Sequence, residues 1–136
     1  MAEELEPLYT EAQAAMTTEG FHYLATPYSR FPAGLEEAHR QACLAAAECF
    51  REGLVVFSPI AHSHAIAFVG GLGGDYETWQ HCAEAMMAAA GLIVVMMEGW
   101  EASVGIEAEI QWFRRAGKPI AYRPAPRDGC QWRESI

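Results

Sequence analysis

The chain has 136 residues, 51% of them hydrophobic, and 18 acids against 9 lysines and arginines give a net charge of -9. That length suits one domain with a real core, since two domains would each be too small to bury enough surface. The negative surface repels phosphate backbones and argues against nucleic acid as a partner, yet it allows a single nucleotide in a locally positive pocket.

Membrane and export signals are not expected. The longest apolar run, 83–97, is interrupted by Glu84 and Gly91 and falls short of a membrane span. Met1-Ala2-Glu3-Glu4 is acidic where a secretory signal needs a basic start. Cys43, Cys49, Cys82 and Cys130 form no CxxC pair, and read as reduced thiols they place the protein in the cytoplasm.

In chain order, residues 1–20 are polar and rich in Ala and Thr and read as an N-terminal arm, with residues 21–136 as the single domain. Phe21–Ala25 reads as a short apolar strand. Thr26-Pro27-Tyr28-Ser29-Arg30-Phe31-Pro32 must be a loop, because two prolines break either regular element. Leu35, Ala38, Ala42, Ala45, Ala46 and Cys49 recur at helical spacing and predict a helix over 33–52, closed by Gly53. Leu54–Phe57 reads as the second strand. Ile60–Asp75, with Gly70-Gly71 and Gly73-Gly74 inside it, reads as a long loop of the functional kind. A helix is predicted over 79–90, a third strand over 92–97, a helix over 103–116 ending at Gly117, and a last strand over 119–122.

Strands alternating with helices predict an α/β fold, a three-layer αβα arrangement around a small parallel sheet. Every strand-to-helix loop, 25–32, 58–78 and 98–103, then lies at one edge of the sheet, where such folds bind small ligands. The third of these loops is the sharpest signal. After Leu92-Ile93-Val94-Val95-Met96-Met97 comes Glu98-Gly99-Trp100, then Ser103-Val104-Gly105-Ile106-Glu107-Ala108-Glu109. Ser103 is a natural N-cap, Gly105 lets a ligand or backbone approach, and the helix start favours an anion. Glu109 falls four residues after Gly105 on the same helical face. The competing reading is that first-turn acids are common and solvated, with Glu107 paired to Gln111 or Arg114.

These residues give the chain a resemblance to the nucleoside 2-deoxyribosyltransferase-like superfamily, and within it to a small uncharacterised bacterial branch, the DUF1937-like proteins. The resemblance is carried by Tyr23-Leu24-Ala25-Thr26-Pro27-Tyr28-Ser29, by Ser58-Pro59 with His62 and His64, by Gly99-Trp100-Glu101-Ala102-Ser103-Val104-Gly105-Ile106-Glu107-Ala108-Glu109, and by Gly117-Lys118-Pro119-Ile120. It covers about residues 21–122 and implies a flavodoxin-like, deoxyribosyltransferase-like fold. It further implies that Glu109 is a nucleophile attacking the anomeric carbon of a nucleoside or nucleotide. Ser103 stands where transferases carry an acid and nucleotide hydrolases a serine, so the resemblance implies a 5′-monophosphate N-glycosidase. Relatives build pockets between subunits, which implies a homodimer or larger homo-oligomer. One departure stands out: Cys82 occupies the place of an aspartate that assists the nucleophile and the leaving base, and Glu84 and Asp75 are the nearby acids.

On that reading an ionised Glu109 stabilises an oxocarbenium-like transition state and forms a covalent intermediate. Tyr23 can pin Glu109 by its hydroxyl, and His62, His64 or His81 can supply a proton to the leaving base. Thr26, Pro27, Tyr28, Ser29, Arg30, Ser103, Gly105 and Trp100 are the expected substrate contacts, with Tyr28 stacking on the base and Arg30 the stronger phosphate contact. No cofactor is expected. Alternatives are a nucleotide-binding or sensing module with little turnover, a nucleoside deoxyribosyltransferase, and a metal-dependent hydrolase using His62, His64, His81, Cys82 and Asp75, although no compact ligand spacing marks a metal site. Against the functional readings, Tyr23 can be plain core, Arg30 a surface charge, Trp100 a lid or subunit contact, and the two loop histidines ordinary polar groups.

Overall fold

A computed structural model describes residues 20–28, 31, 33–96 and 103–126. Within them the strands are β1 (His22–Ala25), β2 (Val56–Phe57), β3 (Ile93–Met96) and β4 (Ile120–Arg123). The helices are α1 (Leu35–Arg51), α2 (Pro59–Gly70), α3 (Tyr76–Ala89) and α4 (Val104–Arg115). The strands form one sheet in the order β2-β1-β3-β4. Every pair is parallel, with Tyr23 beside Ile93 and Ile93 beside Ile120. The N-terminal arm, Ser29, Arg30, Trp100 and Cys130 lie outside the described residues.

A parallel sheet is covered on both faces, so its strands are apolar in both directions. Alternation sorts them into two cores. Leu24, Val94 and Ala121 pack with Ala45 and Cys49 of α1 on one face. Tyr23, Ala25, Ile93, Val95 and Tyr122 pack with Met87 of α3 and with Ile106, Ile110 and Phe113 of α4 on the other. The architecture is therefore three-layered, α/β/α, as the alternation of strands and helices predicts. Because α1 follows β1 on one face and α4 follows β3 on the other, the winding reverses between these adjacent strands, and their C-terminal ends mark a topological switch point. Ligands bind in this kind of place in open α/β sheets.

The long loop expected over Ile60–Asp75 is corrected by the structure: most of it is α2. Ser58 is its N-cap, accepting from the Ala61 amide at 3.1 Å. Pro59 supplies a preset φ at the first turn, and Gly71, at φ 71°, closes the helix in the left-handed conformation. The helix was hidden because it has no polar face. Ile66, Phe68 and Val69 are exposed while His64 is buried, so no 3.6-residue alternation marks it. His62 and His64 are thus helix residues and not loop polar groups. The helix expected from Trp79 begins three residues earlier because Asp75 caps it, its carboxylate accepting from the Thr78 amide at 3.1 Å. The second strand is shorter than predicted, since the Leu54 amide turns back to the Cys49 carbonyl at 2.9 Å and closes α1 instead of joining the ladder.

Two charged groups tie layers together. Arg123 at the end of β4 donates to the Glu52 carboxylate after α1. Lys118 Nζ donates to the carbonyls of Met87, Ala88 and Ala90 at 2.9, 2.7 and 2.7 Å. That places a cation on the negative end of α3 and satisfies acceptors the helix leaves unpaired. Replacing Lys118 with Met keeps the stem and removes the donors. The expected loss is about 1–3 kcal/mol of unfolding free energy, read from denaturant titration. A variant as stable as the parent overturns this account of the lysine.

Candidate functional site

The site is built on the face of the sheet that α3 and α4 cover. Tyr23 has no exposed surface. Its ring lies 6.1 Å from Phe57 and 6.0 Å from Phe113, centroid to centroid. Its hydroxyl donates to Oε2 of Glu109, which α4 brings over the strand. The two residues are 86 apart in sequence and meet only because β1 and β3 are neighbours. Burial raises the Glu109 pKa to about 7, against the opposing pull of the Tyr23 hydrogen bond. Burial and the Glu109 charge drive the Tyr23 phenol pKa up, so Tyr23 stays the donor. Cys82 of α3 is a free, half-buried thiol. Asp75 is occupied as the cap of α3, and Glu84 accepts from Gln80 at 3.0 Å.

Ser103 is buried and caps α4, accepting from the Ile106 amide at 3.2 Å; its own O–H remains available to donate. Among the described residues, a Cβ on Gly105 would meet Ser103 Oγ at 3.9 Å, an ordinary contact. Thr26, at the end of β1, is 3% exposed and its hydroxyl finds no hydrogen-bond partner among the described residues. Such a group at the C-terminal end of a strand is a donor and acceptor that calls for a partner. Pro27 beside it is buried. Glu107 is plain surface, bonded to Gln111 at 3.1 Å.

The predicted histidines separate. His62 is exposed, with its ring 5.4 Å from Phe57 and 6.4 Å from Trp79. It therefore edges the same aromatic wall as Tyr23. His81 is exposed on α3. His64 is buried and turned to a different set of partners, Tyr28 at 2.6 Å and Glu36 at 3.0 Å. Phe57, Trp79 and Glu36 were not anticipated, and nothing local in the sequence singles them out, because each enters through a contact between separate elements. Among the described residues no three His, Cys, Asp or Glu side chains gather to hold a metal ion. Nor is any described helix long and apolar enough to cross a membrane.

Fold and site together describe a doubly wound α/β protein with a carboxyl group of α4 hydrogen-bonded to a buried phenol of β1. The chain belongs to the family described as Domain of unknown function (DUF1937), which matches residues 20–123. No curated protein matches it.

The carboxyl group has a measurable signature. In the unfolded chain Glu109 loses its proton near pH 4.5 and in the fold near 7. Between those values the native state binds more protons, so stability falls as pH rises and levels off above neutrality. Glu109→Gln keeps an acceptor for Tyr23 and removes the buried charge. It is expected to match the parent at pH 4 and to exceed it by about 2–3 kcal/mol at pH 8 in chemical denaturation. Equal stabilities at pH 8 would show that the carboxylate is well solvated.

Proposed function

We infer that the protein is an N-glycosidase that hydrolyses the base–sugar bond of a nucleoside 5′-monophosphate, with Glu109 as nucleophile. The link to the nucleoside 2-deoxyribosyltransferase-like superfamily is part of the same proposal. The observation that carries it is the Tyr23–Glu109 pair. A half-buried carboxyl group, aimed by a fully buried phenol, comes from the helix that Ser103 caps and meets the strand that ends at Thr26.

The chemistry follows from that arrangement. Ionised Glu109 attacks the anomeric carbon as the C–N bond breaks. The base leaves with the electron pair and takes up a proton, and water then cleaves the glycosyl ester. Tyr23 fixes the carboxylate and keeps its own proton throughout. The start of α4, with the Ser103 hydroxyl, favours the 5′-phosphate. The aromatic wall of Phe57, His62 and Trp79 offers flat surfaces to a heterocyclic base. A homo-oligomer belongs to the same proposal, and the exposed Ile66, Phe68, Val69 and Leu72 give it apolar surface of the kind subunit contacts bury. A second reading, a nucleotide-binding module with little turnover, is favoured by one feature: a thiol, Cys82, stands where the resemblance implies an acid.

Incubation with ribo- and deoxyribonucleoside 5′-monophosphates, followed by chromatography of the free base, separates the two. The glycosidase is expected to release base at a rate that climbs as pH rises toward and past 7, where Glu109 ionises. Glu109→Ala is expected to lower that rate at least about 100-fold. Base release that survives this substitution rejects the nucleophile. Nucleotide binding by calorimetry with no base released favours the module.

A further inference from the structure

Helix α2 turns an apolar face outward. His62, Ala65, Ile66 and Val69 recur at helical spacing, i, i+3, i+4 and i+7, and all four are exposed. Phe68 widens this stripe. Leu72 follows just past the helix end, its amide bonded to the Ala67 carbonyl at 3.0 Å. Ile66 is 42% exposed, Leu72 51%, Phe68 77% and Val69 86%. The other side of the helix is already occupied, since His64 is buried against Tyr28, Glu36 and the ring of His39.

A helix that is apolar on every side is normally covered. The four large side chains expose on the order of 500 Å² between them, at the upper end of what a lone monomer leaves bare in one patch. Doubled across a twofold axis, that comes to about 1,000 Å², the lower bound for a specific contact between proteins.

Charge decides the occupant. The chain carries a net -9, so two copies repel wherever their acids meet. Residues 53–74 are its longest run without Asp, Glu, Lys or Arg, and the exposed stripe lies inside that run. A different protein drawn to so acidic a chain would carry basic groups, and those would find no carboxylate on this face. A second copy meets no repulsion here and brings the same apolar side chains with it. A twofold contact requires just this, one patch present on both subunits and complementary to itself.

We propose that α2 packs against α2 of a second copy about a twofold axis, through Ile66, Phe68, Val69 and Leu72, with the partner bordering His62. His62 begins the stripe, and its ring also lies 5.4 Å from Phe57 and 6.4 Å from Trp79. The second copy therefore stands at the exposed edge of the aromatic wall that leads to Tyr23. The contact commits the oligomer to one face and does not rest on the glycosidase reading, since no nucleotide is needed to form it. An area near the lower bound puts the dissociation constant in the micromolar range.

Sedimentation velocity on the full chain, from about 1 to 200 µM, tests the contact. The parent is expected to pass from monomer to dimer across that range. Val69 is exposed, so Val69→Asp and Val69→Lys leave the monomer folded; each is expected to raise the dissociation constant at least about 100-fold by bringing like charges together. An equal mixture of the two is expected to form dimer where neither does alone. Phe50→Asp, at an apolar position 54% exposed near the end of α1, is expected to dimerise like the parent. In histidine ring spectra the His62 signal is expected to move with dissociation while that of His81, exposed on α3, stays in place. A parent that remains monomeric overturns the proposal, whatever else covers the face. A dimer that survives Val69→Asp, or a mixture that stays monomeric, overturns the twofold contact through α2. A His62 signal indifferent to association removes the partner from the wall. Base release from nucleoside monophosphates bears on the glycosidase reading alone and leaves the contact to sedimentation.

Discussion

The hydrogen bond from Tyr23 to Glu109 is the constraint on which the candidate site depends. A carboxyl group taken out of water resists ionisation, and a donor at close range is what lets it do so near neutrality. That donor is reliable because the Tyr23 ring has no freedom: Phe57 and Phe113 flank it, and the β1 ladder with β3 sets its height along the strand. The carboxyl group is placed from the other side by α4, whose entry is set by the Ser103 cap and whose register is held by Ile106, Ile110 and Phe113 in the core. Geometry at the reactive group is thus a property of sheet order and helix packing, not of a loop.

The unexpected helix α2 organises the rest. His62 near its start faces the aromatic wall, and His64, two residues on, is buried against Tyr28 and α1. One helix therefore serves two polar systems, one edging the Tyr23–Glu109 pair and one reaching into the space between α1 and α2. In the helix, burial forces His64 to find partners on both ring nitrogens, since an unsatisfied polar group away from water is destabilising.

Much of the architecture is legible along the chain. The spacing of Leu35 through Cys49 gives α1, the Ser103–Glu109 run gives α4, and short apolar stretches bounded by glycine and proline give the strands. These signals work because each half-buried element writes its period into the sequence. Where no polar face exists, as in α2, the period vanishes and the punctuation must be read instead: Ser58-Pro59 opening the helix and Gly71 closing it. The strand ends were less legible, because Leu54 is apolar like its neighbours and only its amide, bonded to Cys49, shows that it belongs to the end of α1.

The sequence by itself determined the residue types available for chemistry and the elements that carry them, because capping, helical period and strand alternation are local effects. It named Tyr23 and Glu109 as a pair worth joining, and Ser103 as a cap. Only the tertiary structure decided that the phenol and the carboxyl group touch, that Phe57 and Phe113 flank the phenol, and that Glu36 completes the partners of His64. Each of those facts joins segments far apart in the chain. Contact across that separation is set by strand order and by which face each helix covers, and no local preference encodes it.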